Sequence, residues 1–565
     1  MISMNKMIIY QLLPRLFGNE TSDCHPDAPM SDNGVGKFSS FTSKALKAIR
    51  DLGCTHVWFT GVIEHATQTD HTACGIPLDN PYVVKGKAGS PYAIKDYYDV
   101  CPDFADEVPN RMAEFESLVE RTHQQGLKVI VDFVPNHVAR RYHSDAKPEG
   151  VADFGSNDNT KLMFSPMNNF YYFPGNELNP RFYAGEGDRR YVESPAKATG
   201  NDCFSPFPDA RDWYETVKLN YGVDYLGDRM TYFNPIPDTW TKMEQILLFW
   251  ASKGIDAFRC DMAEMVPCAF WGWVIPRVKS HYPSILFIAE VYNPNQYHNY
   301  TINGKFDYLY DKVGLYDTLR EVMCGRQSAS SITRCWQSLG DLQPRMLNFL
   351  ENHDEQRIAS DFFAGTPEKG RPALLISALM SRSPFMLYFG QELGERGMDE
   401  EGFSGRDGRT SIYDYWSVDT IRRWNNGGKF NKLRLTLAER DLRDFYTKVL
   451  ARIASTPLFG EGQMYDVMFA NYENHYFDVH RLFAFLRKTD DALALVVANF
   501  NDEPLPASVV LPAHAFEWLG VSPSECAEWT DLLTDETTQQ PLSPEAPISV
   551  VVPALSGVVL KTSLK

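Results

Sequence analysis

The stretch LKVIVDFVPNH, residues 127–137, begins as an almost unbroken apolar run and ends in polar residues. A short run rich in Val, Ile and Phe is what a parallel strand buried on both faces requires. Seven more runs share the pattern: IIYQLL (8–13), THVWFT (55–60), IDAFR (255–259), ILFIAEV (285–291), FDYLY (306–310), RMLNFL (345–350) and PFMLYF (384–389). Between them lie segments of helical period. Ala45, Leu46, Ile49 and Leu52 share one face, Phe115, Leu118, Val119 and Thr122 a second, and Met243, Ile246, Leu247 and Trp250 a third. Gly53, Gly126 and Gly254 follow these helices where a left-handed residue ends one. Eight strands alternating with helices predict a (β/α)₈ barrel, an α/β TIM barrel, rather than an open doubly wound sheet.

Two regions break this rhythm. Residues 138–235 are rich in Asn, Asp, Pro, Gly and Tyr and carry no long helical period. An irregular stretch of that length inside a compact domain is usually functional, and it follows the third run, so it is expected to be an inserted domain at the barrel's catalytic end. From about residue 460, RLFAFLRK (481–488), DALALVVANF (491–500), PASVVL (506–511), ISVVVP (548–553) and GVVLKT (557–562) read as short strands between turns. The expected organisation is a barrel over 1–137 and 236–459, an insert over 138–235, and a C-terminal antiparallel β-sandwich over 460–565.

Composition narrows the class of partner. With 44% hydrophobic and 23% charged residues, the chain has the balance of a globular protein with a sizeable core. A net charge of −18 argues against nucleic acid and against anionic membranes. No apolar run is long enough to span a bilayer. The chain reaches its first strand after about six residues without the regions of a signal peptide, so a cytoplasmic protein is expected. The 10 cysteines form no Cys-x-x-Cys pair, and reduced, buried thiols are the reading. Oligomeric state is not legible.

The ends of four runs carry the chemistry. DFVPNH offers Asp132, Asn136 and His137; FRCD offers Arg259 and Asp261; IAEVY offers Glu290; NHD offers Asn352, His353 and Asp354. Polar groups leaving apolar strands cost free energy unless paired, and barrel enzymes take their catalytic groups from these ends. Cleavage of a glycosidic bond with retention needs an ionised carboxylate and a proton-bearing one. Arg259, two residues before Asp261, faces the same side of its strand and is expected to hold that aspartate ionised. Glu290, flanked by Ile288, Ala289 and Val291, is expected to keep a proton. Asp354 is left to bind sugar hydroxyls, with His137 and His353 as donors to the same ring.

DFVPNH, GIDAFRCD, IAEVY and FLENHD, in this order, resemble the four signature regions of the α-amylase family, glycoside hydrolase family 13. IYQLLPRLFG, SPYAIKDYYDV (90–100), VKLNYG (217–222) and YFGQELGE (388–395) are similar to further family segments, so the resemblance spans about residues 7–560. It implies a nucleophile at Asp261, a general acid/base at Glu290 and a transition-state stabiliser at Asp354. It also implies substrate contacts from Tyr92 (the family's stacking tyrosine), His137, Arg259 and His353, with support from Asp132. The substrate would be an oligosaccharide or polysaccharide α-glucan; no organic cofactor is implied, and a structural calcium would be held through Asn136. The chain departs from the family after the nucleophile, where Glu264-Met265 stand in place of Lys-His. That exchange is expected to move leaving-side binding to the insert and to the loop near Arg406 to Tyr415. Hydrolysis and transfer to another sugar share one intermediate and stay open at this level. A non-catalytic binding subunit is disfavoured because all three acids are present.

Overall fold

The computed structural model describes residues 6–564. All eight expected runs form strands: β1 (Ile8–Leu12), β2 (His56–Phe59), β3 (Lys128–Phe133), β4 (Ala257–Cys260), β5 (Leu286–Ala289), β6 (Tyr308–Tyr310), β7 (Met346–Phe349) and β8 (Phe385–Tyr388). They close into a barrel in sequence order, every neighbour parallel, with β8 pairing back onto β1. Ile9, Trp58, Ile130, Ala257, Ile288, Tyr310, Leu347 and Met386, one from each strand, fill the interior. The barrel is therefore a packed core, not a pore.

Side chains alternate along a strand, so residues two places beyond that interior layer also point inward, nearer the C-terminal rim. Those positions hold Gln11, Asp132, Arg259 and Glu290, and one further step brings Asp261 and Tyr292. The site residues are thus the top layers of the barrel's own interior. The outward faces pack against helices α1 (Ser43–Asp51), α2 (Arg111–Gln124) and α3 (Asp238–Ser252), which bury the faces expected from their spacing. Gly53 has φ +107°, and a Cβ there would lie 2.5 Å from the Ala451 backbone nitrogen, so only glycine fits.

Residues 138–235 contain no α-helix among the described residues. They hold short ladders, His137–Ala139 with Thr216–Lys218 and Tyr172–Phe173 with Ala196–Lys197. A small core of Tyr171, Phe173, Leu178, Tyr191, Ala196 and Ala198 packs with Val83. Tyr221 of the VKLNYG segment donates to the Pro135 carbonyl at 2.7 Å, tying the far end of this stretch to the end of β3.

The C-terminal strands are β9 (Gln463–Asp466), β10 (Leu482–Lys488), β11 (Ala492–Asn499), β12 (Leu505–Val509), β13 (Ser524–Asp531), β14 (Thr537–Leu542), β15 (Ile548–Val552) and β16 (Ser556–Ser563). They form an antiparallel sandwich, a six-stranded sheet in the order β9-β10-β11-β16-β13-β14 and a two-stranded ladder of β12 with β15. Of these, β9, β13 and β14 were not expected from the sequence.

Asp311, just after β6, is 2% exposed and accepts the Leu315 amide at 2.8 Å. Burial pushes its carboxyl up to about 6. Between the unfolded value of about 4 and that value, the folded protein holds a proton that the unfolded chain has lost. This stability is fully present below the unfolded value and is lost as pH rises through the folded one. Wild type is therefore expected to lose about 1.4 kcal/mol per pH unit relative to Asp311→Asn across that window, measured by urea unfolding. A difference independent of pH would contradict this.

Candidate active site

At the C-terminal rim a cavity of about 470 Å³ opens, lined by Asp261, Glu290, Asp354, Tyr92, His137 and His353 together with Lys85, Trp213, Glu215, Tyr292, Lys312 and Tyr413. All three predicted acids meet there. Asp261 is 6% and Glu290 4% exposed. Asp354 stands at the mouth with 45% of its side chain open to solvent.

Arg259 organises the floor. Its guanidinium is 1% exposed and lies against the rings of Trp58, Tyr92 and Tyr310, 5.2–5.6 Å from their centres. Nη1 donates to Asp261 Oδ1 at 2.8 Å and reaches Asp132 Oδ1 at 3.4 Å. Nη2 lies 2.8 Å from Glu290 Oε2, but its N–H direction is off line for a hydrogen bond. Asp261 therefore receives charge and an aligned bond, whereas Glu290 receives charge alone. Asp132 accepts from Trp58 Nε1 at 3.0 Å and the Gly61 amide at 3.1 Å. Burial pushes Asp132 up to about 6 against the pull of Arg259. Arg259 and Asp132 were expected among the substrate contacts. They lie behind the cavity wall, 1% and 3% exposed, and Arg259 sits one step deeper on its strand than Asp261.

The expectation that Glu290 sits among apolar neighbours also needs correction. Ile288 shares its face but lies a layer deeper, and Ala289 and Val291 point to the other side of the strand line. The carboxyl instead accepts the Met262 amide at 2.8 Å and the Tyr292 hydroxyl at 2.5 Å. Met262 reaches Glu290 because its φ is +43°, a left-handed conformation that a non-glycine residue rarely takes. Burial pushes Asp261 well above the usual carboxylate range, opposed by Arg259. Burial also raises Asp354 above its usual value, opposed by the charges of Arg259, Arg409 and Lys312.

His353 lies between Tyr92 and Asp354: its Nε2 is 2.6 Å from the Tyr92 hydroxyl and 3.2 Å from Asp354 Oδ2, while Nδ1 meets Gln11 at 2.7 Å. His137 stands against the ring of Trp213. Burial lowers both histidines to about 3, helped by Arg259 for His353 and by Lys218 for His137. Both are neutral near pH 7.

A sequence profile described as the α-amylase catalytic domain matches residues 11–429. The chain belongs to the α-amylase family. Two curated relatives are α-amylase 3 of Dictyoglomus thermophilum, 25% identical over 374 residues, and α-amylase MalA of Haloarcula japonica, 23% identical over 525. These matches take in 63% and 90% of this chain, and span 64% and 57% of the relatives' own lengths. Among solved structures, the maltogenic α-amylase AmyB of Thermotoga neapolitana shares the fold at TM-score 0.61 and 18% identity, covering 100% of both chains.

In this α-amylase-family chain the calcium expected at Asn136 meets a poor donor set. Asn136 Oδ1 accepts from the Lys218 ammonium, which also contacts Asp202 at 2.7 Å and the Met265 carbonyl at 3.3 Å. Lys218 is 1% exposed. A fixed cation already occupies the oxygens, and a divalent ion beside it would be repelled. Glu264, in the place of the family's lysine, does not line the cavity. Its carboxylate accepts the amides of Tyr292 and Asn293, both at 3.1 Å, and so braces the loop after β5 rather than facing the cavity as a free anion.

Sequence reasoning missed Tyr292, Lys85, Glu215 and Trp213. Tyr292 was within reach, since it stands two places after Glu290 and so on the same face. Lys85, Glu215 and Trp213 come from irregular segments, where no period signals a direction. Of the loop expected to serve the leaving side, Ile412 and Tyr413 line the cavity.

Proposed function

We propose that this protein is a retaining glycosidase that hydrolyses α-glucosidic bonds of maltooligosaccharides or starch-like α-glucans. The observation that carries the reading is the Asp261–Glu290 pair, held by one guanidinium at the ends of adjacent strands and facing one cavity. Carboxyls of retaining enzymes stand about 5–5.5 Å apart, close enough for one to attack carbon while the other serves the leaving oxygen. Here one carboxylate lies 2.8 Å from each terminal nitrogen of the same guanidinium, which brings the two together.

In the first step Asp261 attacks the anomeric carbon and forms an ester, while Glu290 gives its proton to the departing glycosidic oxygen. In the second, Glu290 takes a proton from water, whose oxygen attacks the same carbon and releases Asp261. The aligned bond from Arg259 favours the anionic form of Asp261 against the push of burial. Tyr292 fits the alternation of Glu290, because a phenol donates to a carboxylate and accepts from a carboxylic acid. Asp354 and the neutral histidines offer acceptors and donors to hydroxyls of the bound sugar, and Tyr92 offers a ring to its apolar face. The similarity to α-amylases supports an α-glucan as substrate.

The test is incubation with maltoheptaose, with products followed by chromatography and their first-formed anomer by proton NMR. Short sugars of α configuration are expected. Products longer than the substrate would mean transfer through the same intermediate, and β-configured products would overturn the reading. Tyr92→Phe keeps the ring and loses the bond to His353, and should lower kcat/KM by about tenfold. Tyr92→Ala also loses the platform that positions the sugar and should cost a further 10²-fold or about that. Equal losses in the two variants would assign the role to the hydroxyl.

A further inference from the structure

The loop after β2 contains a second group of charges that the proposed reaction does not use. A two-stranded ladder joins Ile63–His65 to Ile94–Val100, and in it Glu64 stands directly opposite Asp96. Like charges facing each other across a ladder destabilise it. Asp99, farther along the same strand, and Asp145, near the start of the insert, converge on Glu64: one oxygen of each of the three lies within 4.8 Å of the others. Three oxygens bound symmetrically to one calcium ion at 2.3–2.6 Å stand up to about 4.5 Å from one another, so small side-chain adjustments bring all three onto a single ion.

A second observation points to a missing partner. Glu64 is 2% exposed, and its Oε2 is buried with no hydrogen-bond partner. An ionised oxygen left so costs several kcal/mol unless a charge answers it. The nearby cations do not answer it. Lys95 is 4.0 Å from Oε1 and is turned to Asp79 at 3.1 Å, while Arg111 is engaged with the Oδ2 atom of Asp99. Asp96 orders the approach from the other side: its Oδ2 accepts the amides of Asp145 and Ala146 at 3.0 and 3.2 Å, fixing the turn that carries Asp145. Asp145 itself is exposed, which leaves a way in from solvent.

We propose that Glu64, Asp99 and Asp145 form a binding site for a divalent cation of the calcium type. Three carboxylates and no nitrogen or sulfur donor suit a hard ion, and the spread of oxygens suits calcium better than magnesium, which demands tight octahedral contacts at about 2.0–2.1 Å. Bound there, the ion would clip the start of the insert to the loop after β2. It would serve the structural part that Lys218 plays at Asn136, at a separate place.

The full-length protein, stripped with a chelator, is titrated with CaCl₂ and separately with MgCl₂ by calorimetry, and its thermal midpoint is followed in parallel. One calcium per chain and a midpoint that rises with CaCl₂ are expected. Asp145→Asn, at an exposed position that the fold tolerates, should weaken calcium at least about tenfold. Glu64→Gln should remove binding while the metal-free protein stays folded. Absence of calcium binding in the wild type, tighter binding of magnesium, or wild-type affinity in the Asp145→Asn protein would overturn the proposal.

Discussion

Asp261→Asn is expected to cut turnover of α-glucans by about 10⁴-fold or more while the protein stays folded. The amide keeps the shape of the carboxylate and can accept the bond from Arg259, but it cannot form the glycosyl ester. Glu290→Gln should cost about 10²–10⁴-fold, because proton transfer in both steps is lost. The two losses are distinguishable by chemistry. A substrate whose leaving group needs no proton, such as a glycosyl fluoride, should regain its first step in Glu290→Gln and remain slow in Asp261→Asn. Steady-state rates on maltooligosaccharides and the first-turnover burst of fluoride from maltosyl fluoride make the comparison. Near-wild-type turnover in either variant would show that its residue has another role.

Arg259→Lys is expected to be almost as damaging. A lysine carries the charge but lacks the planar fork, so it cannot bond Asp261 and stand beside Glu290 and Asp132 at once. Turnover should fall by about 10³-fold, the scale of losing a preorganised charge in a dry site. Arg259→Met goes further, since it leaves Asp261, Glu290 and Asp132 buried without a cation. Removing one partner of a buried ion pair costs about 3–5 kcal/mol of folding stability. Kinetics on the lysine variant and urea unfolding of the methionine variant separate the two roles. Wild-type turnover in Arg259→Lys would remove Arg259 from the account of the site.

The barrel was legible in the sequence because its strands are buried on both faces and so read as continuous apolar runs, as in KVIVDF of β3. The strands that escaped are those with an exposed face. SECAEWTD of β13 and TTQQPL of β14 are largely polar and at most half-buried along most of their length, and the latter contains a proline. No apolar run or clean alternation marks them. The acids were legible for a related reason: a carboxylate at the end of an apolar strand is anomalous, and Asp261, Glu290 and Asp354 stand there. What the sequence could not reveal was depth. Arg259 and Asp261 are two residues apart on one face, yet one lies beneath the cavity and the other lines it. Lys218 was equally hidden. A lysine in the middle of VKLNYG reads as an ordinary strand residue, and only the fold brings its ammonium to Asn136.

The central claim, a covalent bond from Asp261 to sugar, is tested most directly by mass spectrometry of a trapped intermediate. The Glu290→Gln protein is treated with α-maltotriosyl fluoride, quenched in acid and digested. Fluoride departs without help from Glu290, and release of the ester lacks its general base, so the adduct should accumulate. A gain of one maltotriosyl unit on the peptide containing Asp261 is the predicted result. A maltotriosyl unit carried by any other residue would contradict it.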